Sequence, residues 1–337
     1  NPGPEKSGTP WQAVTVGEAP SVEDAVFVDL DNDGAMDVVS CAEGSTRTVF
    51  IHWAPGAPED YLDTSKWLTE SIPATAGAQA WMYCLPIQLD GKHGTDLVVG
   101  SKGEGATVSW LQAPEDARDL DGWILHEICP AAWIMSIHDL DVDKDGALDL
   151  VISDRKGSNS GIFWLENPGV GDALGRHWNR HLAGGAGKQV MFLTTADLDG
   201  DVNQDIVSAV SGQELALLMG LPGLMPAWEE SRIAFPDTCG TGKAAAVGNL
   251  NHDGSLEIVV TCENSLEKTG VFYLDFDEGS EAWVMHDISG IEGVKYDLVE
   301  LIDLDNDGDL DVLTCEERTG LGVIWYENPL LDRRDIE

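Results

Sequence analysis

The chain has 337 residues, with 60 Asp and Glu against 19 Lys and Arg, for a formal net charge of −41. A field of that sign repels nucleic acid and anionic membrane surfaces and favours cations, so a nucleic-acid partner is set aside. No run approaches the ~20 apolar residues of a membrane helix, so membrane insertion is set aside too; no basic and apolar leader precedes Asn1, so any signal peptide is expected to be absent or removed.

In chain order, the first element is WQAVTV from Trp11, whose alternation reads as a half-exposed strand. An acidic loop leading into an apolar run follows at Asp29, DLDNDGAMDVVS, and then a strand closing on proline, FIHWAP. The same succession returns along the chain. The acidic loops continue with QLDGKHGTDLVVG from Gln88, DVDKDGALDLVIS from Asp141, DLDGDVNQDIVS from Asp197, NLNHDGSLEIVVT from Asn249 and DLDNDGDLDVLT from Asp303. Tryptophans keep step at Trp67, Trp123, Trp178, Trp228 and Trp283, each opening another alternating run.

The repeat length is about 52 to 59 residues, slightly above the range of propeller blades. Each unit holds four strands: one into the acidic loop, one out of it, one ending near proline and one starting at tryptophan. The fold expected is all-β, a six-bladed β-propeller with four antiparallel strands per blade. The blades fall near 22–72, 80–128, 132–183, 188–234, 242–289 and 294–337, in one domain over 1–337. The N-terminal strand, residues 9–17, is expected to complete the last blade and hide its edge. Asn1-Pro2-Gly3 resembles the end of the Glu166-Asn167-Pro168-Gly169 turn, which leaves open a longer, seven-bladed parent.

The spacing D-x-D-x-D-G-x-x-D offers carboxylates at positions 1, 3, 5 and 9, the oxygen-rich set that a hard cation requires. Three loops carry it in full: Asp29, Asp31, Asp33, Asp37; Asp141, Asp143, Asp145, Asp149; and Asp303, Asp305, Asp307, Asp311. The fourth keeps Asp197, Asp199, Asp201 and Asp205 but has Val202 for glycine, and the fifth has Asn249, Asn251, Asp253 and Glu257. In the second, Lys92 stands among Gln88, Asp90 and Asp96, and its ammonium can replace the ion. Structural Ca2+ at about three to five sites is therefore expected. An EF-hand does not fit, since strands flank the loops and position 12 is not glutamate.

At these loops the sequence resembles the FG-GAP/VCBS repeat family, which includes integrin α-chain head propellers, fungal lectins, and propeller polysaccharide lyases and sugar dehydratases. The resemblance covers essentially the whole chain and implies the fold and calcium. Members differ in activity, so it implies no single reaction.

The strand ends opposite the acidic loops should converge on the mouth of the central channel. Six residues past each position-9 acid stand Glu43, Lys102, Arg155, Ser211, Glu263 and Glu317. Lysines stand before three inner strands, Lys188, Lys243 and Lys295. Scarce cations gathered at one rim suit an anionic or polyhydroxylated ligand. By residue type, Lys243, Lys295, Tyr296, Arg155, Glu263 and Glu317 are catalytic candidates. Glu43, Arg47, Lys102, Asp154, Lys156, Lys188, Trp81, Trp133, Asp297, Glu316 and Arg318 are ligand-binding candidates.

The reading is of a secreted, periplasmic or cell-surface propeller acting on a carbohydrate, an anionic or uronate-containing glycan. The resemblance implies β-elimination or dehydration for the enzyme form, and the alternative is a non-catalytic lectin-like or protein-adhesion propeller. The six cysteines form no CxxC pair and do not decide the compartment. No GxSxG, HExxH, P-loop or GxGxxG occurs in context.

Overall fold

In a computed structural model, residues 8–169, 178–223 and 225–330 are described. Asn1, Pro2 and Gly3 lie outside them. Six antiparallel sheets are the blades of an all-β propeller. Contacts divide the chain into two compact units, Gln12–Leu182 on one side and, on the other, Ala183 onward with the residues up to Trp11.

The unit of Gln12–Leu182 contains three sheets. The first joins β1 (Val22–Val28), β2 (Asp37–Ala42), β3 (Thr48–Trp53) and β4 (Leu68–Ser71) in that order. The second joins β5 (Ala80–Ile87), β6 (Asp96–Lys102), β7 (Thr107–Gln112) and β8 (Ile124–Pro130). The third joins β9 (Ile134–Leu140), β10 (Asp149–Asp154), β11 (Gly161–Glu166) and β12 (Asn179–Gly184), whose last two residues pass the division. Second strands are buried on both faces, which explains their unbroken apolar runs, whereas the fourth strand β8 is exposed or half-buried over most of its length. Trp53, Trp81 and Trp123 pack with Ile51, Leu97 and Val99 in one core. Trp110, Trp178, Ile134 and Leu150 anchor the next.

The other unit holds β13 (Val190–Ala196), β14 (Asp205–Val210), β15 (Glu214–Gly220) and β16 (Trp228–Ala234) in its first sheet. Its second has β17 (Thr241–Gly248), β18 (Glu257–Glu263), β19 (Val271–Asp277) and β20 (Ala282–Asp287). Its third has β21 (Tyr296–Ile302), β22 (Asp311–Glu316) and β23 (Gly322–Tyr326). That last sheet is three-stranded among the described residues, and Trp11–Val16, expected as its fourth strand, joins no ladder. Along β23 runs a cleft of about 780 Å3 lined by Tyr273, Ile288, Val312, Trp325 and Tyr326. Val16 and Gly17 instead lie by the first sheet, where the Val16 carbonyl accepts from Thr69 Oγ1 at 3.4 Å.

One carboxylate ties each sheet together. In the second sheet, Asp96 is fully buried; its Oδ2 accepts from Leu89 N at 3.0 Å and its Oδ1 from Ala113 N at 2.8 Å. It thereby joins the end of β5, the start of β6 and the chain leaving β7. Asp37, Asp149, Asp205 and Asp311 make the same two bonds in their own sheets, to Leu30 and Ala54, Val142 and Asn167, Leu198 and Gly220, and Leu304 and Asn328. Glu257 reaches only Leu250 N of this pair, its other oxygen taking Ser255 Oγ.

Asp96→Asn keeps the shape but turns one acceptor into a donor facing a backbone N–H. A loss of about 2 kcal/mol is expected, as for an unpaired buried donor. The urea midpoint measures it, and an unchanged midpoint would show that this carboxylate does not join the three strands.

Candidate functional site

At one end of the sheets lie the acidic loops. Each has two consecutive bends in left-handed backbone, at positions 4 and 6 of the repeat. Position 4 is Asn32, Lys144, His252 and Asn306 in four loops, with φ between 58° and 62°. Position 6 is glycine in the same four, but Val202 holds φ 65° and His93 holds φ 55° there. The double bend aims several side-chain oxygens into each loop.

The loops differ in how those oxygens are satisfied. In loops three, four and six the carboxylates of positions 1, 3 and 9 lie within 4.8 Å of one another, and four Asp-rich groups in all could hold a metal ion. Asp141 Oδ1, Asp197 Oδ1 and Asn249 Oδ1, the same position in loops three, four and five, are buried without a hydrogen-bond partner. In loop six it is Asp307 Oδ2, on a residue 4% exposed. Unpartnered buried oxygens among like charges fit a cation. The second loop does not fit: Gln88 Nε2 donates to the carbonyls of Lys92, at 2.9 Å, and Gly94, and Lys92 Nζ lies 3.7 Å from Asp90.

At the other end, a shared irregularity shapes the site. Every first strand has a register shift near its start, where one residue is unopposed. Such bulges re-aim side chains. The unopposed residue is Glu23 in β1 and Lys243 in β17, and Asp297 lies within the shift of β21.

In the unit of Gln12–Leu182 the rim candidates gather around Trp133. Lys102 Nζ bridges Glu43 at 2.5 Å and Glu23 at 3.3 Å. Burial raises the Glu23 carboxyl, while its hydrogen bond lowers Glu43, so the two acids share their charge on one lysine. Lys102 Nζ sits 4.7 Å, Arg155 Cζ 5.2 Å and Lys156 Nζ 4.0 Å from the Trp133 ring centre. Asp154, 2% exposed, accepts from Trp133 N at 2.8 Å and from Arg180 Nη2 at 3.2 Å, so it fixes the ring's backbone. Arg155 and Lys156 form no ion pair among the described residues, and Arg155 Nε is buried without a partner. Trp81 does not join them: it is fully buried and donates to Thr75 O. Arg47 stands in left-handed backbone, φ 48°, after β2.

In the other unit Lys243, 6% exposed, lies 3.6 Å from Asp297 Oδ1 and 3.8 Å from Glu263 Oε2, with its ammonium 5.6 Å from the Phe192 ring. Lys295 pairs with Glu317. Burial pushes Asp297 up to about 7, helped by its hydrogen bond to Glu317, which is itself lowered by that bond. Lys188 faces Glu214 at 3.4 Å. Tyr296 is fully buried, its hydroxyl donating to Glu292 O at 2.8 Å. Glu316 is an anchor, accepting from the backbone of Val294, Lys295, Arg318 and Thr319. Sequence reasoning missed Phe192, which packs under Lys243, and Arg118, which enters the first acidic loop; neither carries a repeating signal.

Compared with known proteins, the chain matches no family model and no curated protein. No helix among the described residues is long and apolar enough to cross a membrane.

Burial alone raises Glu316, but hydrogen bonds from Thr319, Lys295 and Arg318 outweigh it and bring the carboxyl down to about 2. A depressed acid stabilises above its unfolded pKa and loses that as pH falls through the folded value. Midpoint temperature should therefore fall between about pH 4.5 and 2. Glu316→Gln should flatten that fall, and an identical profile would remove the anchor. Val202→Gly should stabilise by ~0.5–1 kcal/mol, because relief of a left-handed β-branched residue exceeds the added chain entropy. Thermal unfolding checks the sign.

Proposed function

We propose that the chain is a calcium-stabilised propeller of the FG-GAP/VCBS type, working outside the cytoplasm, that holds an acidic, uronate-containing glycan against Trp133. One observation carries this reading: two cations without ion-pair partners among the described residues flank an indole face in a chain with 60 acidic residues and 19 basic ones. A sugar ring stacks on an aromatic face, and a planar guanidinium takes a carboxylate through paired N–H donors. Lys102, already bound to Glu23 and Glu43, sets the edge of the platform rather than its charge. Calcium supports the reading of compartment, since loops of this kind suit cation levels found outside cells.

A catalytic form has its own support in the other unit. Asp297, held near 7 beside Glu317, can accept and release a proton at neutral pH. Lys243 is held between Glu263 and Asp297 and so positions the two carboxylates. Elimination would move the proton on the carbon beside a uronate carboxylate to a base, its electron pair forming a C=C bond as the C–O bond to the leaving sugar breaks and the departing oxygen takes up a proton.

Calorimetry with an oligogalacturonate and its neutral methyl ester tests the binding reading. Binding of the acid form alone is expected, weakened about tenfold or more by Arg155→Gln with Lys156→Gln, the loss of charge-assisted hydrogen bonds. Equal binding of both forms would overturn it. Release of an unsaturated uronate, abolished by Asp297→Asn, would establish the catalytic form; binding without release leaves a lectin.

A further inference from the structure

The first acidic loop has the full set of carboxylates, yet it is arranged unlike its counterparts. In loops three, four and six the close group is positions 1, 3 and 9; in the first it is Asp29, Asp31 and Asp33, without Asp37. Asp37 itself is not displaced, since it makes the same bonds to Leu30 and Ala54 that Asp149 makes to Val142 and Asn167. The difference lies at Asp31. Arg118, from the connection between β7 and β8, places Nε 2.6 Å and Nη2 2.5 Å from Asp31 Oδ2. Its guanidinium lies 4.5 Å from the Trp53 ring centre, so the arginine is held from two directions. The Asp31 side chain is 9% exposed, and its other oxygen accepts from Asp33 N at 3.2 Å. Both oxygens of Asp29 are also bonded, to Asp33 N and Gly34 N.

No arginine or lysine pairs with Asp143, Asp199 or Asp305 among the described residues. A guanidinium bonded twice to one carboxylate oxygen removes that oxygen from a cation and brings a positive charge to the same spot. Beside the loop, a cleft of about 300 Å3 lined by Leu30, Asp31, His93 and Ala117 gives solvent access, so an ion is not excluded by packing.

We infer that Arg118 is a built-in competitor for the divalent cation at the first loop: calcium enters there only by displacing a guanidinium, whereas loops three, four and six take it directly. The inference rests on the calcium reading of the acidic loops. It makes the first loop the weak, exchangeable site of the set, and its occupancy follows ambient calcium where the others stay filled.

Native mass spectrometry and calorimetry with Ca2+ count and rank the binding events. The wild type should show one event weaker than the rest, and Arg118→Gln should tighten it about fivefold, the worth of one ion pair. Asp29→Asn should remove that event and no other. Near-ultraviolet circular dichroism confirms that each variant is folded, and Arg118→Lys, which keeps the charge but not the fork, should fall between the two. Unchanged binding in Arg118→Gln overturns the inference. So does weakened binding, which would make Arg118 a support for a ligand carboxylate. If folded wild type and folded Arg118→Gln both bind no calcium, the calcium reading itself falls.

Discussion

The sheets depend on one buried carboxylate apiece. An ionisable group at almost zero exposure is costly unless its oxygens are satisfied; in five sheets backbone N–H groups from two different strand ends satisfy them, and Glu257 takes one such group and the Ser255 hydroxyl. Burial consequently raises Asp37 and Asp149 to about 6 and lifts Asp96, Asp205 and Glu257 as well. The acid is therefore a structural knot before it is anything else. A loop of several further carboxylates can be built on it because its own position is already fixed from behind.

The opposite strand ends use the same device for a different end. Asp154 and Glu316 occupy equivalent places at the close of β10 and β22, and each collects backbone N–H groups from the connection entering its sheet. Those bonds set the segment that carries Trp133 in one sheet and Lys295 in another. The bulges then choose which side chains face outward from the ladder: an unopposed residue has no cross-strand neighbour, and so Glu23 and Lys243 are free of the alternation that would otherwise dictate their side. Acid anchors and bulges together give a repeating frame that presents different residues in each sheet.

Most of the frame was legible in the sequence, because the acidic loops recur in phase and each demands the same double bend. Strand order and the buried second strands followed from that. The site was less legible, and the bulges are the reason. Trp81 and Tyr296 are expected at the rim, in the connections entering first strands, but each stands next to a register shift and packs into a core. Asp154 and Glu316 are charged and sit at strand ends, features that read as ligand contacts, while most of their partners are main-chain donors that no side-chain pattern reveals. The closing strand failed to appear as a ladder for a related reason: WQAVTV alternates as well as any fourth strand, but alternation states which face is apolar and not which edge it meets.

The second acidic loop shows what the loop geometry itself requires. Gln88 replaces the first aspartate, and its amide donates to two loop carbonyls, the kind of oxygen a cation would otherwise draw inward. Its own oxygen accepts from Asp90 N and Gly91 N, and Gln112 Nε2 donates to Asp90 Oδ2 at 2.6 Å. The turn survives, with His93 in left-handed backbone where four of its counterparts have glycine. Two positive bends and an inward donor are thus sufficient for the shape, whether the donor is an amide or, across the same cleft, a guanidinium. A repeat can change its ion chemistry through one side chain while the strands on either side stay as they are, since the buried knot at position 9 does not depend on which donor fills the loop.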